Sequence, residues 1–549
     1  MARFATPGVY IKEKSAFGSS VVAVPTAVPA FIGYTEKAAR GNNSLINKPT
    51  RVSSFAEYVT MFGGAPQIQC NLKHTANSTS YEVSVNAKTQ YNLFNAVKMF
   101  YANGGGTCYI VSVGDYSGGV KANELNDLEN NGGLQTLMTE QEPTLVVIPD
   151  ATLLSKEECY SIYSAMLQHC GGDTQSRFAI LDVYDGYKAR TYDDNDVVDQ
   201  FREMVGNNFL AFGAAYYPWI KTTVIGASEI DYSNISDTKA LISLLTAEAQ
   251  LTHLGAISGA APAAAPKAKK AEGGDDKKAA PAKKATAAAP AADVDDKTMK
   301  KYNAVVAEIS KLDGAAAGDT TLHQTLLAIS ASAYKSVLGS VRGSVNLMAP
   351  SGAMAGVISR VDNTQGVFKA PANVGMSSVV APSQNMTNED QEDLNTPING
   401  KSVNAIRTFM GKGVLVWGAR TLDGNSQDWK YISVRRTLIM IEQSIKNAVE
   451  PFVFEANTPQ TWLRIKVSID NFLASQWRAG ALVGTSPTEA FETTVGLGST
   501  MTPADILDGI MRISVKVAVT RPAEFIEITF EQMMPGGGGD EGGEEGGEE

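Results

Sequence analysis

Few residues in this chain suit redox or metal chemistry. Among its 549 residues, four are cysteine (Cys70, Cys108, Cys159, Cys170) and four are histidine (His74, His169, His253, His323). No two cysteines form a C-x-x-C pair. Four thiols are too few for a disulfide framework in a chain of this length, so they read as buried and reduced. His169 and Cys170 are adjacent, but with Cys159 they would still need distant residues to close a tetrahedral site, and a buried helix face is the preferred reading. No apolar run reaches 18 residues. The longest, Phe209 to Ile220, ends at Lys221, which argues against a membrane-spanning helix. Met1-Ala2-Arg3-Phe4 carries neither an apolar leader core nor a cleavage site, so the expectation is a protein made in the cytoplasm and held there until a larger assembly carries it out. Positive charge is also short. Lys and Arg number 47 against 58 Asp and Glu, a net charge of −11, which is the wrong sign for a general nucleic-acid binder. Six of those negative charges sit in the last ten residues, so the body is only mildly acidic. No G-x-x-x-x-G-K-[ST] sequence is present. Gly104-Gly105-Gly106 follows a helical pattern and precedes a strand, the reverse of a phosphate loop, and reads as a helix end and turn.

What the chain does have is ordinary core material, 44% hydrophobic and 19% charged, over a length that suggests two to four domains. Residues 1–20 read as an extended arm. Val9-Tyr10-Ile11 is a short strand with little apolar surface to anchor it locally, so its partners must lie elsewhere. A β-rich region follows over 21–110, with Ala30 to Tyr34 as a strand and a helix from Gln90 to Asn103. An α/β middle domain spans 111–395. Within it Leu145 to Asp150, Phe178 to Val183 and Ala211 to Trp219 read as strands, alternating with helices at Lys156 to His169 and Asn195 to Val205. That βαβα rhythm predicts a parallel layer. The run 258–297 is almost entirely Ala, Pro, Lys, Asp and Gly, and is expected to be a disordered insertion, framed by helices at Asp237 to Leu254 and Leu322 to Val341. Its eight lysines are offset by six acidic residues, so a solubilising, outward-facing loop is preferred to an anion-binding one.

Residues 396–535 form a C-terminal α+β domain. Strands are predicted at Asn404 to Met410 and Gly413 to Gly418. A helix is predicted over Ser433 to Val449, and a second opens at Thr458 with Pro459 at its first position. Ile513, Val515, Val517 and Val519 alternate as one strand, and Ile526, Ile528 and Phe530 as the next, with a turn at Thr520 to Ala523. The Gly/Asp/Glu tail over 536–549 has no means of folding. The fold class is therefore α/β in the wider, α+β multidomain sense.

Several segments, in order along nearly the whole chain, resemble contractile tail sheath proteins of phages and of phage-tail-like bacterial injection systems. They include Thr6-Pro7-Gly8-Val9-Tyr10-Ile11, Val28 to Gly33, Asn103 to Tyr109, Tyr216-Tyr217-Pro218-Trp219, Ala349 to Gly352 and Val367 to Asn373. The densest are Val416-Trp417-Gly418-Ala419-Arg420-Thr421-Leu422 and Tyr431 to Arg436, followed by Gly480 to Leu482 and Pro522-Ala523-Glu524-Phe525-Ile526. The family often has two prolines before the Ser-Gly pair, whereas here the first is Ala349. The resemblance implies a structural subunit with no catalytic residues and no cofactor. Copies stack around an inner tube, swap terminal strands with neighbours and contract on a baseplate signal to drive the tube through a target envelope. It implies as partners other copies of the chain, an inner tube protein, baseplate and tail terminator or cap proteins and sister sheath proteins, with no nucleic acid and no direct membrane insertion. Inter-subunit strand exchange falls on Val9, Tyr10, Ile11, Ile526, Ile528 and Phe530, and the particle is one assembled in the bacterial cytoplasm.

Two other readings compete. A subtilisin-like middle domain, which the resemblance also implies, raises a hydrolase, but Ser351 lacks a nucleophile-elbow context and no histidine sits in a triad motif. A surface-layer or capsid-like lattice shares self-assembly but predicts flat or closed shells. Arg435, Arg436 and Lys446 on the helix beginning near Ser433 are candidates to grip an acidic inner tube, against the ordinary reading of a solvated face in which Glu442 pairs with Lys446.

Overall fold

A computed structural model describes residues 21–75, 78–255 and 295–527. The continuous apolar runs become strands buried on both faces, as parallel strands under two helical layers require. In chain order the principal elements begin with β1 (Pro29–Tyr34), β2 (Thr50–Val52), α1 (Leu93–Ala102), β3 (Cys108–Gly114), β4 (Leu145–Val147), α2 (Lys156–Leu167), β5 (Phe178–Asp182), α3 (Val197–Met204) and β6 (Gly213–Tyr217). They continue through α4 (Thr238–Leu254), α5 (Asp296–Ser310), α6 (Thr320–Ile329), α7 (Ala333–Val345), α8 (Ser351–Gln365), β7 (Val374–Gly375), α9 (Asn388–Asn395), β8 (Asn404–Phe409) and β9 (Gly413–Val416). Last come α10 (Ile432–Val449), α11 (Pro459–Arg478), β10 (Phe491–Val495) and β11 (Ile513–Val517).

Nine strands form one sheet in the order β7-β9-β8-β6-β5-β4-β1-β3-β2. The pairs from β3 through β1, β4, β5 and β6 to β8 are parallel, and antiparallel strands close both margins. Alternation along each strand feeds two cores. Ala30 and Ile32 join residues of α2 and α3 on one face, and Phe31 joins residues of α1 and α8 on the other. The sheet takes strands from all three regions divided by sequence. Position 110/111 falls inside β3, and β8 and β9, assigned to the C-terminal domain, complete the central layer.

Two fully buried carboxylates order the C-terminal ends of the strands. Asp150 accepts the Tyr34 and Asn92 N–H groups at 3.0 and 2.5 Å, and Asp182 accepts the Ser351 N–H at 2.8 Å. They satisfy donors at the starts of α1 and α8. Burial pushes their carboxyls up, Asp150 to about 6 and Asp182 to about 7. Helix α8 then crosses α1 at close range: a Cβ on Gly352 would meet Ala96 backbone at 2.7 Å, and one on Gly356 would meet Asn103 Cβ at 2.7 Å. The Ser351-Gly352 motif is thus a packing device.

Helices α4 to α7 and the hairpin Cys70–His74/Tyr81–Val85 build a separate core. The helix expected over Leu322 to Val341 is two helices. Glu248 of α4 reaches into the break, accepting from Ser330 Oγ, Ser332 N–H and Ala333 N–H at 2.6 Å each, and so caps the start of α7. The insertion expected to be disordered over 258–297 lies mostly outside the described residues. Its last residues do not follow the expectation, because Asp295 caps α5, which begins at Asp296.

The C-terminal unit packs α10, α11, β10 and β11 around Met440, Ile441, Ile465, Ile469 and Phe472, and Val21 is buried in the same core. Strand β11 pairs antiparallel with β10, a strand the sequence pattern did not reveal. The hairpin expected between 513–519 and 525–530 does not form among the described residues, where 525–527 carry no strand.

Candidate assembly surfaces

Strand β11 presents an open edge. Ala518 N–H donates to Ala490 C=O, which makes 518/490 a hydrogen-bonded pair in the β10–β11 register. Antiparallel alternation then assigns 516/492 and 514/494 the same role and turns the N–H and C=O groups of Ile513, Val515 and Val517 to the opposite side. Among the described residues no strand pairs there. The far edge of β10 differs, since Lys466 Nζ of α11 donates to Thr493 C=O at 2.7 Å. The pair is held to the unit by Phe491, Ile513, Val515, Val517 and Val519, all partly buried against its core. A two-stranded sheet is marginal alone, and its free edge is a template for a further strand.

Below β11 the chain crosses from the C-terminal unit to the main sheet. Thr520 N–H donates to Ala481 C=O at 3.0 Å. Four residues later the Glu524 carboxylate accepts from Arg420 Nη2 at 2.6 Å, Asn395 Nδ2 at 2.8 Å and Tyr431 OH at 3.2 Å. Burial alone would raise the Glu524 carboxyl, but Arg420 and Asn395 hold it below the usual range. Phe525 and Ile526 follow, 77% and 79% exposed. Of the six residues expected to exchange strands, only Ile526 is described. Val9, Tyr10, Ile11, Ile528 and Phe530 lie outside the described residues.

The structure separates the three cations proposed for tube contact. Arg435 is buried, with its guanidinium 4.5 Å from the ring centroids of both Phe212 and Trp429 and 3.1 Å from Glu442. Arg436 is buried against Asp362 at 2.6 Å and also donates to Thr26 C=O. Both arginines therefore hold α10 to the rest of the chain and do not form the solvated stripe with Lys446. Glu442 pairs with Arg435 rather than with Lys446, which is exposed. Lys446 lines a groove of about 810 Å³ between α10, Val24 to Thr26 and Met138 to Thr144.

The residues weighed for chemistry are buried in packing roles. Ser351 is 1% exposed. His169 is pressed down to about 4 by burial and by Arg177, which it contacts, and Arg177 also donates to the Pro143 and Leu137 carbonyls. Burial pushes the Cys159 and Cys170 thiols up to about 12. Among the described residues no cluster of His, Cys, Asp or Glu suits a metal, and no helix is long and apolar enough to cross a membrane. Sequence reasoning missed the Arg420–Glu524 pair. The two residues are 104 positions apart and nothing local couples them, although both fall in segments that carried the family resemblance.

Residues 425–533 match the family model for the phage tail sheath C-terminal domain. Among solved structures, the chain is similar to the helical sheath of the anti-feeding prophage in its contracted state, at 26% identity and TM-score 0.53, covering 96% of this chain and 99% of that one. A chain in the six-fold symmetrised baseplate structure of the anti-feeding prophage matches at 25% identity and TM-score 0.54 with the same coverage. The sheath complex of the extracellular contractile injection system PVC in its contracted state shares the fold at 24% identity and TM-score 0.54, over 97% of this chain and 99% of that one. No curated protein sequence matches.

Proposed function

We infer that this chain, a contractile tail sheath protein, is the structural subunit of a sheath that surrounds an inner tube and shortens to drive that tube through a target envelope. One observation carries the reading: the likeness to the helical sheath of the anti-feeding prophage covers 96% of this chain and 99% of that one, with the C-terminal sheath model matched independently over 425–533. Self-association follows from it, as does a place next to a baseplate. An inner tube, terminator or cap proteins and sister sheath proteins complete the proposed set of partners. The particle is proposed to assemble in the bacterial cytoplasm.

The geometry supplies a means of self-association. A strand laid on the open edge of β11 meets the outward groups of Ile513, Val515 and Val517, and main-chain bonds of this kind contribute about 0.5–1.5 kcal/mol each. The donors in this reading are the arm around Val9 to Ile11 and the segment from Ile526 through Ile528 and Phe530 of neighbouring copies. A head-to-tail contact of this sort propagates as a helix or a stack of rings. The chain does mechanical rather than catalytic work, with free energy stored in the extended lattice and released by better packing after contraction. Lys446, the exposed member of the three cations, is the remaining candidate on α10 for tube contact.

Negative-stain microscopy of the purified chain tests the reading. Hollow cylinders are expected. Flat arrays would favour a surface lattice, and dispersed particles at every concentration would overturn self-assembly.

A further inference from the structure

We propose that Glu524 is a positioning residue that anchors the root of the C-terminal arm to the main sheet, and thereby fixes where the arm leaves for a second copy of this chain. The proposal rests on the sheath reading.

Arg420 is 5% exposed and lies just beyond β9, tied to the sheet through Asn404 at the start of β8. Its N–H donates to Asn404 Oδ1 at 2.8 Å. Asn404 Nδ2 in turn donates to the carbonyls of Arg420 at 2.8 Å and of Ala215, in β6, at 3.1 Å. Arg420 Nη1 also donates to the Asn395 carbonyl at the end of α9. Glu524 is thus bonded to a guanidinium whose backbone is held by Asn404 of β8 and whose other end is held by the Asn395 carbonyl. A charge-assisted, multiply bonded contact of this kind is among the strongest side-chain interactions available.

The flanks differ. Upstream, Thr520 belongs to the C-terminal unit through its bonds to Ala481 and Gly480. Downstream, Phe525 and Ile526 are exposed apolar residues. The other ion pair of this stretch, Arg521 with Asp428, is 3.4 Å long between exposed side chains and adds little. Residues 521–523 therefore run from the C-terminal unit to Glu524, which is held beside the main sheet by Arg420 and Asn395 and at the start of α10 by Tyr431. A strand lent by one copy ties its sheet to its neighbour's C-terminal unit, so motion of the sheet is carried directly to the next subunit. Phe525 and Ile526, set just beyond the anchor, are the first residues the recipient covers.

The test compares the full-length chain with Glu524→Gln and Glu524→Asp. Loss of a hydrogen-bonded charge is expected to make chymotryptic cleavage after Phe525 of the unassembled chain roughly tenfold faster or more, and to raise the concentration needed for sedimentable cylinders by about the same factor. Aspartate, shorter by one methylene, is expected to give a smaller change in the same direction. A residue that merely stabilised the body would instead lower the unfolding temperature of the unassembled chain, which is expected to stay within about 2 °C. Unchanged cleavage after Phe525, or unchanged assembly, in Glu524→Gln overturns the proposal. Absence of cylinders from the unsubstituted chain is a different result: it overturns the sheath reading, and the proposed use of the arm falls with it.

Discussion

Val515 offers a substitution that separates assembly from folding. Its N–H points away from β10 in the antiparallel register, so replacing it with proline removes no hydrogen bond of the β10–β11 ladder. Proline is tolerated on an edge strand when its missing donor would have faced solvent. Val515 is partly buried against the C-terminal core, so some packing is lost, on the order of 1 kcal/mol. For an incoming strand the effect is larger. One main-chain bond disappears, about 0.5–1.5 kcal/mol, and the pyrrolidine ring occupies the space where the neighbour's backbone must approach. At roughly 1.4 kcal/mol per tenfold, each β11 contact weakens by about tenfold or more, and a lattice repeats that contact in every subunit. Ser514→Pro is the matched control, because residue 514 bonds inward to Thr494 and its proline should damage the subunit itself. Circular dichroism melting and sedimentation with negative-stain counting provide the two readouts. Val515→Pro is expected to melt within a few degrees of the unsubstituted chain and to form no cylinders, whereas Ser514→Pro should fall in both. Normal cylinders from Val515→Pro would show that the β11 edge receives no strand.

Other expectations follow from the buried charges. Asp182 has its carboxyl raised from 3.8 to about 7 by burial, so the native state binds the proton more tightly and this group's contribution is full below about pH 4 and lost as pH rises through about 7. Asp182→Asn should therefore match the parent in urea unfolding at about pH 4, already exceed it by about 1–2 kcal/mol at pH 5 and exceed it at pH 8 by up to about 4 kcal/mol, and a variant less stable at pH 8 would refute the assignment. Arg436→Ala leaves Asp362 buried and unpaired, and should cost about 3–5 kcal/mol of unfolding free energy; a loss below 1 kcal/mol would count against a structural Arg436. Lys446→Glu should leave melting unchanged and weaken only co-sedimentation with an inner tube, so unchanged co-sedimentation would remove Lys446 from the contact.

The central strands were legible because a strand under two helical layers is apolar throughout, and Phe178 to Val183 could satisfy little else. Which strands share a sheet was less legible. Cys108–Gly114 and Asn404–Phe409 carry no local mark of belonging to one layer, since pairing is decided by contacts far apart in sequence. Phe491–Val495 was missed because Phe-Glu-Thr-Thr-Val has too few apolar residues to announce a strand, and it is held by Val515 and Val517 across the pair. The break between α6 and α7 is invisible locally, because the cap comes from Glu248 on another helix. Arg435 and Arg436 looked like surface charges for the same kind of reason. The rings of Phe212 and Trp429 and the carboxylate of Asp362 that receive them arrive from elsewhere in the chain. The resemblance drew attention to the two segments that Arg420 and Glu524 join, but only the folded chain shows that they touch.

These placements divide the mechanical work. The nine-stranded layer is covered on both faces and tied by buried carboxylates at its strand ends, so it resists deformation. The C-terminal unit has the open edge and only a two-stranded sheet behind it. Side-chain contacts that join the two include Arg435 with Phe212, Arg436 with Asp362 and Thr26, and Glu524 with Arg420 and Tyr431. A lattice built on strand exchange stays continuous only if its hinges lie between rigid parts, because a hinge inside a sheet would break ladder bonds each time a subunit turned. The short segments at 21–26 and 521–523 span the two parts, the first held by Val21 in the C-terminal core, by Val24 on Ser444 and by Thr26 on Asp362. In such a design the subunits remain joined while they repack.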